Sequence, residues 1–169
     1  MPAYPIFIIS ILQSMNMMQP ARLDQTSYGY CYHTLIHYAL SVKAKVRNED
    51  IDSCFNYLGE LAFYLYKKDD GFQSLNHGEL KKFHDEYANQ FVSKNFQDMK
   101  QILLDSNIVV LDDDEYRFGY EYIYYYLVAQ KIASVVASDF GRNEIKKLCN
   151  NLENDKCANI LVFIQKIQS

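Results

Sequence analysis

Three groupings in this 169-residue chain have residue types and spacings that could do chemistry. The first is Gly119-Tyr120, which follows a short extended run and precedes an apolar segment dense in tyrosine. Where a strand ends and a helix begins, the first helical N–H groups lack partners and can face an anion. A tyrosine hydroxyl there adds one more donor. The second is His33 and His37, four apart on a helical pattern, a spacing at which two imidazoles could share a metal. The residues between them are Thr34-Leu35-Ile36 rather than the glutamate-bearing HExxH, so they read as flanking histidines and no metal site is assigned. The third is the cysteines Cys31, Cys54, Cys149 and Cys157, each in an apolar helical pattern and none in a CxxC pair. That spacing reads as reduced, buried thiols rather than a zinc site or a disulfide framework.

The Gly119-Tyr120 junction must be positioned by the stretch Leu111–Ala133, LDDDEYRFGYEYIYYYLVAQKIA. It opens as an acidic turn, Asp112 to Glu115, and then enters a helix. On a 3.6-residue period Tyr122, Tyr125, Tyr126, Ala129, Ile132, Ala133 and Val136 form one stripe, and Tyr120, Tyr124, Leu127 and Lys131 a second. A helix apolar on two sides is buried on both, so it is expected at the centre of the fold. Each buried tyrosine brings a hydroxyl that wants a partner. The plain alternative is a tyrosine-rich core helix with no further role.

Composition sets the outer bounds. Hydrophobic residues make up 49% and charged residues 22%, the balance of a globular chain rather than a disordered one. The net charge of −4 disfavours a general binder of nucleic acid or anionic membrane. At the amino terminus, MPAYPIFIISILQSMNMMQP, there is no basic leader region, and the apolar run from Ile6 is too short to span a membrane. It reads as a cytoplasmic core helix opened by Pro5 and closed near Pro20. So abrupt an opening on a buried-type helix resembles a cut edge.

The rest follows in order. Tyr28 to Lys45 predicts a helix, and Asn48 is placed as the cap of the next. That second helix carries Ile51, Cys54, Phe55, Leu58, Leu61, Ala62, Leu65 and Tyr66 on one stripe, and stops at Lys67-Lys68 and Gly71. Phe72 to Leu75 reads as a short extended link. Asn76-His77-Gly78-Glu79 has the form of a capping box, with Leu75 and Leu80 at the staple positions. Its helix should bury Leu80, Phe83, Tyr87 and Phe91. Asn95 caps a shorter helix with Phe96, Met99, Ile102 and Leu103, and Ile108–Phe118 predicts the single hairpin of the fold. Ile145, Leu148, Cys149 and Leu152, then Cys157, Ile160, Leu161, Ile164 and Ile167, make a final helical pair.

The fold class expected is therefore mainly α: a helical segment over 1–46, a winged-helix-like domain over 47–119 with its hairpin at 108–118, and over 120–169 the central helix and the start of a helical array. Winged helices often bind DNA. Here the would-be recognition helix carries Asp98, Lys100 and Asp105 with no arginine, and the wing tip is four acids, which phosphates would repel.

Phe118-Gly119-Tyr120-Glu121-Tyr122-Ile123-Tyr124-Tyr125-Tyr126-Leu127-Val128-Ala129 resembles a segment of NACHT/STAND-type NTPases, especially bacterial ones. Tyr120 stands where better-known members have a histidine. Pro5, in Met1–Ile8, is similar to the proline that begins their small helical domain beside the adenine. The resemblance covers roughly Met1 to Ala133 and implies the helical lid and winged helix of a larger signalling NTPase, possessing no catalysis of its own. Consistent with that, the sequence has no GxxxxGK[ST] motif and no apolar strand ending in paired acids for magnesium. The resemblance further implies an upstream P-loop domain that brings ADP or ATP with magnesium, downstream helical sensor repeats, and a homo-oligomer of the parent as an option. Alone, the chain is expected to hold no cofactor. Pro5 and Tyr120 are the candidate nucleotide contacts, in that context only. In the family the histidine touches the β-phosphate of ADP; a phenol can donate one hydrogen bond but carries no positive charge at neutral pH. Bacterial antiviral defence is the setting such a resemblance implies. A free-standing winged-helix module that binds protein is the competing reading, and a DNA-binding regulator the third.

Overall fold

The computed structural model describes residues 27–68 and 74–168. The helix expected from Pro5 to Pro20, Pro5 itself as a site residue, and the stop at Gly71 lie outside the described residues. The described part is mainly helical with one small antiparallel sheet.

The first described helix, α1 (Ser27–Tyr38), runs into a π-helical segment at Ala39–Lys43. The Ser41 hydroxyl donates to the His37 carbonyl at 2.8 Å, a back-bond of the kind that bends helices. The chain then turns through Lys45 at φ 53°, and the Val46 N–H returns to the Leu40 carbonyl at 2.9 Å. The single helix expected over Tyr28–Lys45 is thus a helix with a widened last turn.

Next comes α2 (Asn48–Lys67), which buries Ile51, Cys54, Leu58, Leu61, Ala62 and Leu65 along the expected stripe. Asn48 is not its cap. It is the first helical residue, and Arg47 holds the cap position with no side-chain cap bond. Arg47 instead pairs with Glu49 and Asp50 in the first turn.

Three strands follow in space although only two were expected: β1 (Ser74–Leu75), β2 (Val109–Asp112) and β3 (Glu115–Phe118), in the order β1-β3-β2. The expected hairpin is there, with Val109 opposite Phe118 and Asp112 opposite Glu115. The extended link adds to its other edge, Ser74 opposite Arg117 and Leu75 opposite Tyr116. Two residues are too few to show the alternation that marks a strand in sequence. Between β1 and β2 lie α3 (His77–Ala88) and α4 (Phe96–Asp105).

The capping box on α3 is fully formed. The Glu79 N–H donates to Asn76 Oδ1 at 3.0 Å, the Asn76 N–H donates to Glu79 Oε2 at 2.9 Å, and Leu75 and Leu80 are both buried. Asn95 caps α4 by accepting the Asp98 N–H at 3.0 Å. Phe91, expected in the core, lies past the end of α3. It is exposed and stacks on Tyr87 at 4.7 Å.

The tyrosine-rich segment forms α5 (Glu121–Ser134) and is buried nearly all round, from Ile123 through Ala129 and again at Ile132. It packs against α2 on one side and against α7 (Asp155–Gln168) on the other, with α1 and α6 (Asp139–Cys149) also in contact. Val136, expected on its stripe, falls beyond its C-terminal end. Tyr32 of α1, Tyr126 of α5 and Phe163 of α7 pack ring to ring, with centroids 5.1–5.8 Å apart. Lys131 of α5 is paired with Glu60 of α2.

The last pair differs in detail from the expectation. Helix α6 starts earlier, where Ser138 accepts the Gly141 N–H at 3.0 Å, and it buries Gly141, Glu144 and Leu148. Leu152 lies outside it and is exposed, as is Cys149. Gly141 is required: a Cβ there would collide with the backbone of Val135 and Val136. Among the described residues no helix is long and apolar enough to cross a membrane.

Candidate functional site

The strand-to-helix junction is built by a close crossing of backbone. Helix α4 ends at Ser106, whose hydroxyl donates to the Leu103 carbonyl at 2.8 Å and accepts the Ile108 N–H at 3.2 Å. Asn107 turns the chain at φ 58°. The returning β3 ends with the Gly119 N–H donating to the Ile108 carbonyl at 2.9 Å. A Cβ on Gly119 would sit 3.1 Å from Val110 Cγ1 and 3.2 Å from the Asn107 carbonyl oxygen, so a side chain there would press the two passes apart.

Tyr120 then occupies the cap position of α5 in extended conformation, φ −132° and ψ 114°. Its carbonyl accepts the N–H groups of Ile123 at 3.1 Å and Tyr124 at 3.2 Å. Its side chain makes no cap bond and is 37% exposed. The start of α5 therefore presents backbone N–H groups that no side chain caps, beside a phenol at the surface. That arrangement can donate hydrogen bonds to an anion. It also carries Glu121 in the first turn, and the Tyr125 hydroxyl reaches Glu121 Oε2 at 3.5 Å. Burial, with the Glu121 charge behind it, pushes the Tyr125 phenol up to about 12. The Glu121 carboxylate opposes an incoming anion, so a phosphate held here needs cations from elsewhere.

The hairpin tip bears on nucleic acid. Asp112, Asp113 and Asp114 are exposed, and Arg117 offsets one of them through a 2.8 Å bridge to Asp112. Asp113 and Asp114 both have positive φ, 49° and 62°. At the start of α4, Lys94 is paired with Asp50 at 2.8 Å. The Lys100 and Lys81 ammonium groups lie over the Phe96 ring, 5.7 and 5.6 Å from its centroid. A surface of this charge does not attract phosphates.

Other candidates are placed as follows. His33 stacks on Phe55 at 4.9 Å, and burial holds its imidazole below the ordinary range. No group of three His, Cys, Asp or Glu side chains suited to a metal occurs among the described residues. All four cysteines are free thiols, but only Cys54 is buried; Cys31 and Cys157 are half-buried and Cys149 is exposed. Cys149 faces outward because α6 turns Gly141, Glu144 and Leu148 inward.

Most buried tyrosines find partners. Tyr57 meets His84 Nδ1 at 3.3 Å, and the Asn56 and Gln130 amides donate to Tyr87 and Tyr126 at 2.8 and 2.7 Å. The Tyr124 hydroxyl is buried with no hydrogen-bond partner among the described residues.

A cleft of about 640 Å³ lies between the end of α2 and the α6–α7 pair. Glu144 is buried at its wall, accepting from the Tyr66 hydroxyl at 3.1 Å and from Lys147 at 2.7 Å. An acid on the inner face of α6, three residues from a lysine, was the one signal available.

Residues 73–128 match the family model Novel STAND NTPase 4. This is a STAND NTPase-related region of about a third of the chain, running from β1 through the hairpin and into α5. No curated protein and no solved structure matches the chain.

Proposed function

We propose that this chain is the regulatory part of a NACHT-type STAND NTPase, a signalling ATPase of the bacterial cytoplasm with a role in antiviral defence. In this reading residues 1–46 are the helical lid, 47–119 the winged helix, and 120–169 the beginning of a helical sensor array. The observation that carries it is an overlap between the matched region and the sheet with its two intervening helices. The matched region opens at β1, takes in α3, α4, the hairpin and Tyr120, and ends at residue 128 within α5. The element order from α2 to β3 is helix, strand, helix, helix, strand, strand, with β1 on the outer edge of the hairpin, which is the order of a winged helix.

Catalysis belongs to a P-loop domain, which would bring ADP or ATP and magnesium. This chain contributes hydrogen-bond donors at the Gly119-Tyr120 junction and, from the lid, Pro5. Because Glu121 stands beside the junction, the lysine and backbone amides of a P-loop are needed to hold phosphate there.

Calorimetric titration with ADP tests this. The chain alone binds negligibly; joined to a matching P-loop domain it binds ADP. Tyr120→Phe then removes one hydrogen bond to a charged group, worth about 1.5–3 kcal/mol, or on the order of 10- to 100-fold in affinity. Equal affinity for wild type and a folded Tyr120→Phe would leave Tyr120 a structural residue.

The exposed acidic hairpin also supports a second reading, a free-standing protein-binding winged helix. That reading gains if no joined P-loop domain confers ADP binding.

A further inference from the structure

We propose that the cleft between α2 and the α6–α7 pair receives the acidic hairpin tip of a second copy of this chain. The inference stands apart from the nucleotide reading and uses a different surface.

The cleft is locally opposite in sign to the acidic chain around it. Lys67, Lys147 and Lys156 line it, against one carboxylate, Glu144. That carboxylate is already engaged by Tyr66 and Lys147. Rings hold the other two ammonium groups in place. Lys67 Nζ lies 4.7 Å from the Phe63 centroid and 5.4 Å from that of Phe140. Lys156 Nζ lies 5.7 Å from Tyr66 and 5.8 Å from Tyr124. Between the lysines the lining is apolar, from Phe140, itself 43% exposed, and Leu148. The amides of Asn151 and Asn154 complete it and can bond peptide groups in either direction.

A ligand for such a cleft is a narrow peptide segment with several carboxylates and one apolar side chain. The chain carries that segment itself. Leu111 is 49% exposed and leads directly into Asp112-Asp113-Asp114-Glu115. A two-residue turn between strands about 4.8 Å apart is slim enough for a cleft of this size. No tip residue lines the cleft of its own molecule, so a tip seated there belongs to another copy. A contact of tip to cleft joins unlike surfaces, which builds head-to-tail assemblies. The contact is small and charge-driven, hence weak and sensitive to salt.

Sedimentation velocity on the whole chain, at ionic strengths of about 0.05 and 0.5 M chosen to bracket the screening range, is the test. Concentration-dependent association is expected at low salt, weakened at least tenfold at high salt. Asp113→Asn with Asp114→Gly keeps a turn-compatible sequence while removing two charges, and should weaken association at least tenfold. Lys67→Gln with Lys156→Gln should do the same, with the helical circular dichroism unchanged. Chains carrying Asp113→Lys and Lys156→Glu should each associate poorly alone and recover when mixed. A monomer at every concentration in low salt overturns the proposal. So does association indifferent to salt and to the tip variant, which would place the contact on an apolar surface. Loss in the cleft variant but not in the tip variant would also overturn it, by giving the cleft to some other acidic segment.

Discussion

Tyr124 and Tyr57 are both fully buried, and both phenols are held protonated by burial, well above the ordinary tyrosine range. Their hydroxyls differ in company. That of Tyr57 meets His84 Nδ1, while that of Tyr124 has no hydrogen-bond partner among the described residues. Leaving a buried polar group unsatisfied costs about 1–3 kcal/mol, whereas removing a satisfied one strands its partner. Tyr124→Phe should therefore be neutral or stabilising by up to about 1 kcal/mol, and Tyr57→Phe destabilising by about 1–2 kcal/mol. Urea unfolding of the two variants checks the contrast. A loss for Tyr124→Phe equal to that for Tyr57→Phe would mean that the Tyr124 hydroxyl does useful bonding.

The hairpin shows how an element tolerates strain for charge. Its two turn residues, Asp113 and Asp114, both adopt positive φ, as a type I′ turn requires and as aspartate does only at some cost. Asn-Gly is the pair that suits this turn best. Asp113→Asn with Asp114→Gly should stabilise the fold by roughly 1 kcal/mol, from relief of the left-handed conformation and of repulsion among the four acids. A rise of a few degrees in thermal midpoint is the readout; a fall would show that the aspartates make structural contacts. The same variant is predicted to weaken self-association, so stability and assembly should move in opposite directions.

For the molecule as a whole, the titrating groups set a pH window. His33 and His84 are held below the ordinary imidazole range by burial, so the native state keeps them neutral. The Lys68 ammonium and the Asn76 N–H hold Glu79 below the ordinary carboxyl range. In each case the unfolded chain binds more protons at acid pH, so stability rises with pH there. The histidine contribution is complete above the unfolded value of about 6.5 and is lost as pH falls toward the depressed native value. The Glu79 contribution is complete above roughly 4.3 and is lost below it. At the alkaline edge, the raised phenols of Tyr57, Tyr124 and Tyr126 stay protonated while the unfolded ones ionise above about 10, so stability falls again. The urea midpoint should form a plateau across neutral pH with a stepped acid limb. Glu79→Gln should shrink the lower step, to which Asp50, held down by its bond from Lys94, also contributes, and leave the histidine step in place. A midpoint flat from pH 7 to 4 would contradict the assignment.

Features whose cause lies within a few residues were legible without coordinates. The capping box at Asn76–Glu79, the hairpin around Asp113-Asp114 and the two-sided burial of the tyrosine-rich helix all follow from local hydrogen-bond geometry and hydrophobic period. The junction at Gly119-Tyr120 was readable for the same reason, as a strand meeting a helix. Features made by distant segments were not. Ser74-Leu75 becomes a strand because Tyr116 and Arg117 offer it an edge, and Phe91 stays outside because α3 ends before it. Glu144 looks like a surface acid on α6 until Tyr66, 78 positions earlier in the chain, supplies the donor that lets it be buried. The lysine-lined cleft exists only where α2, α6 and α7 meet, and no periodicity along one helix encodes which neighbour its polar residues will face.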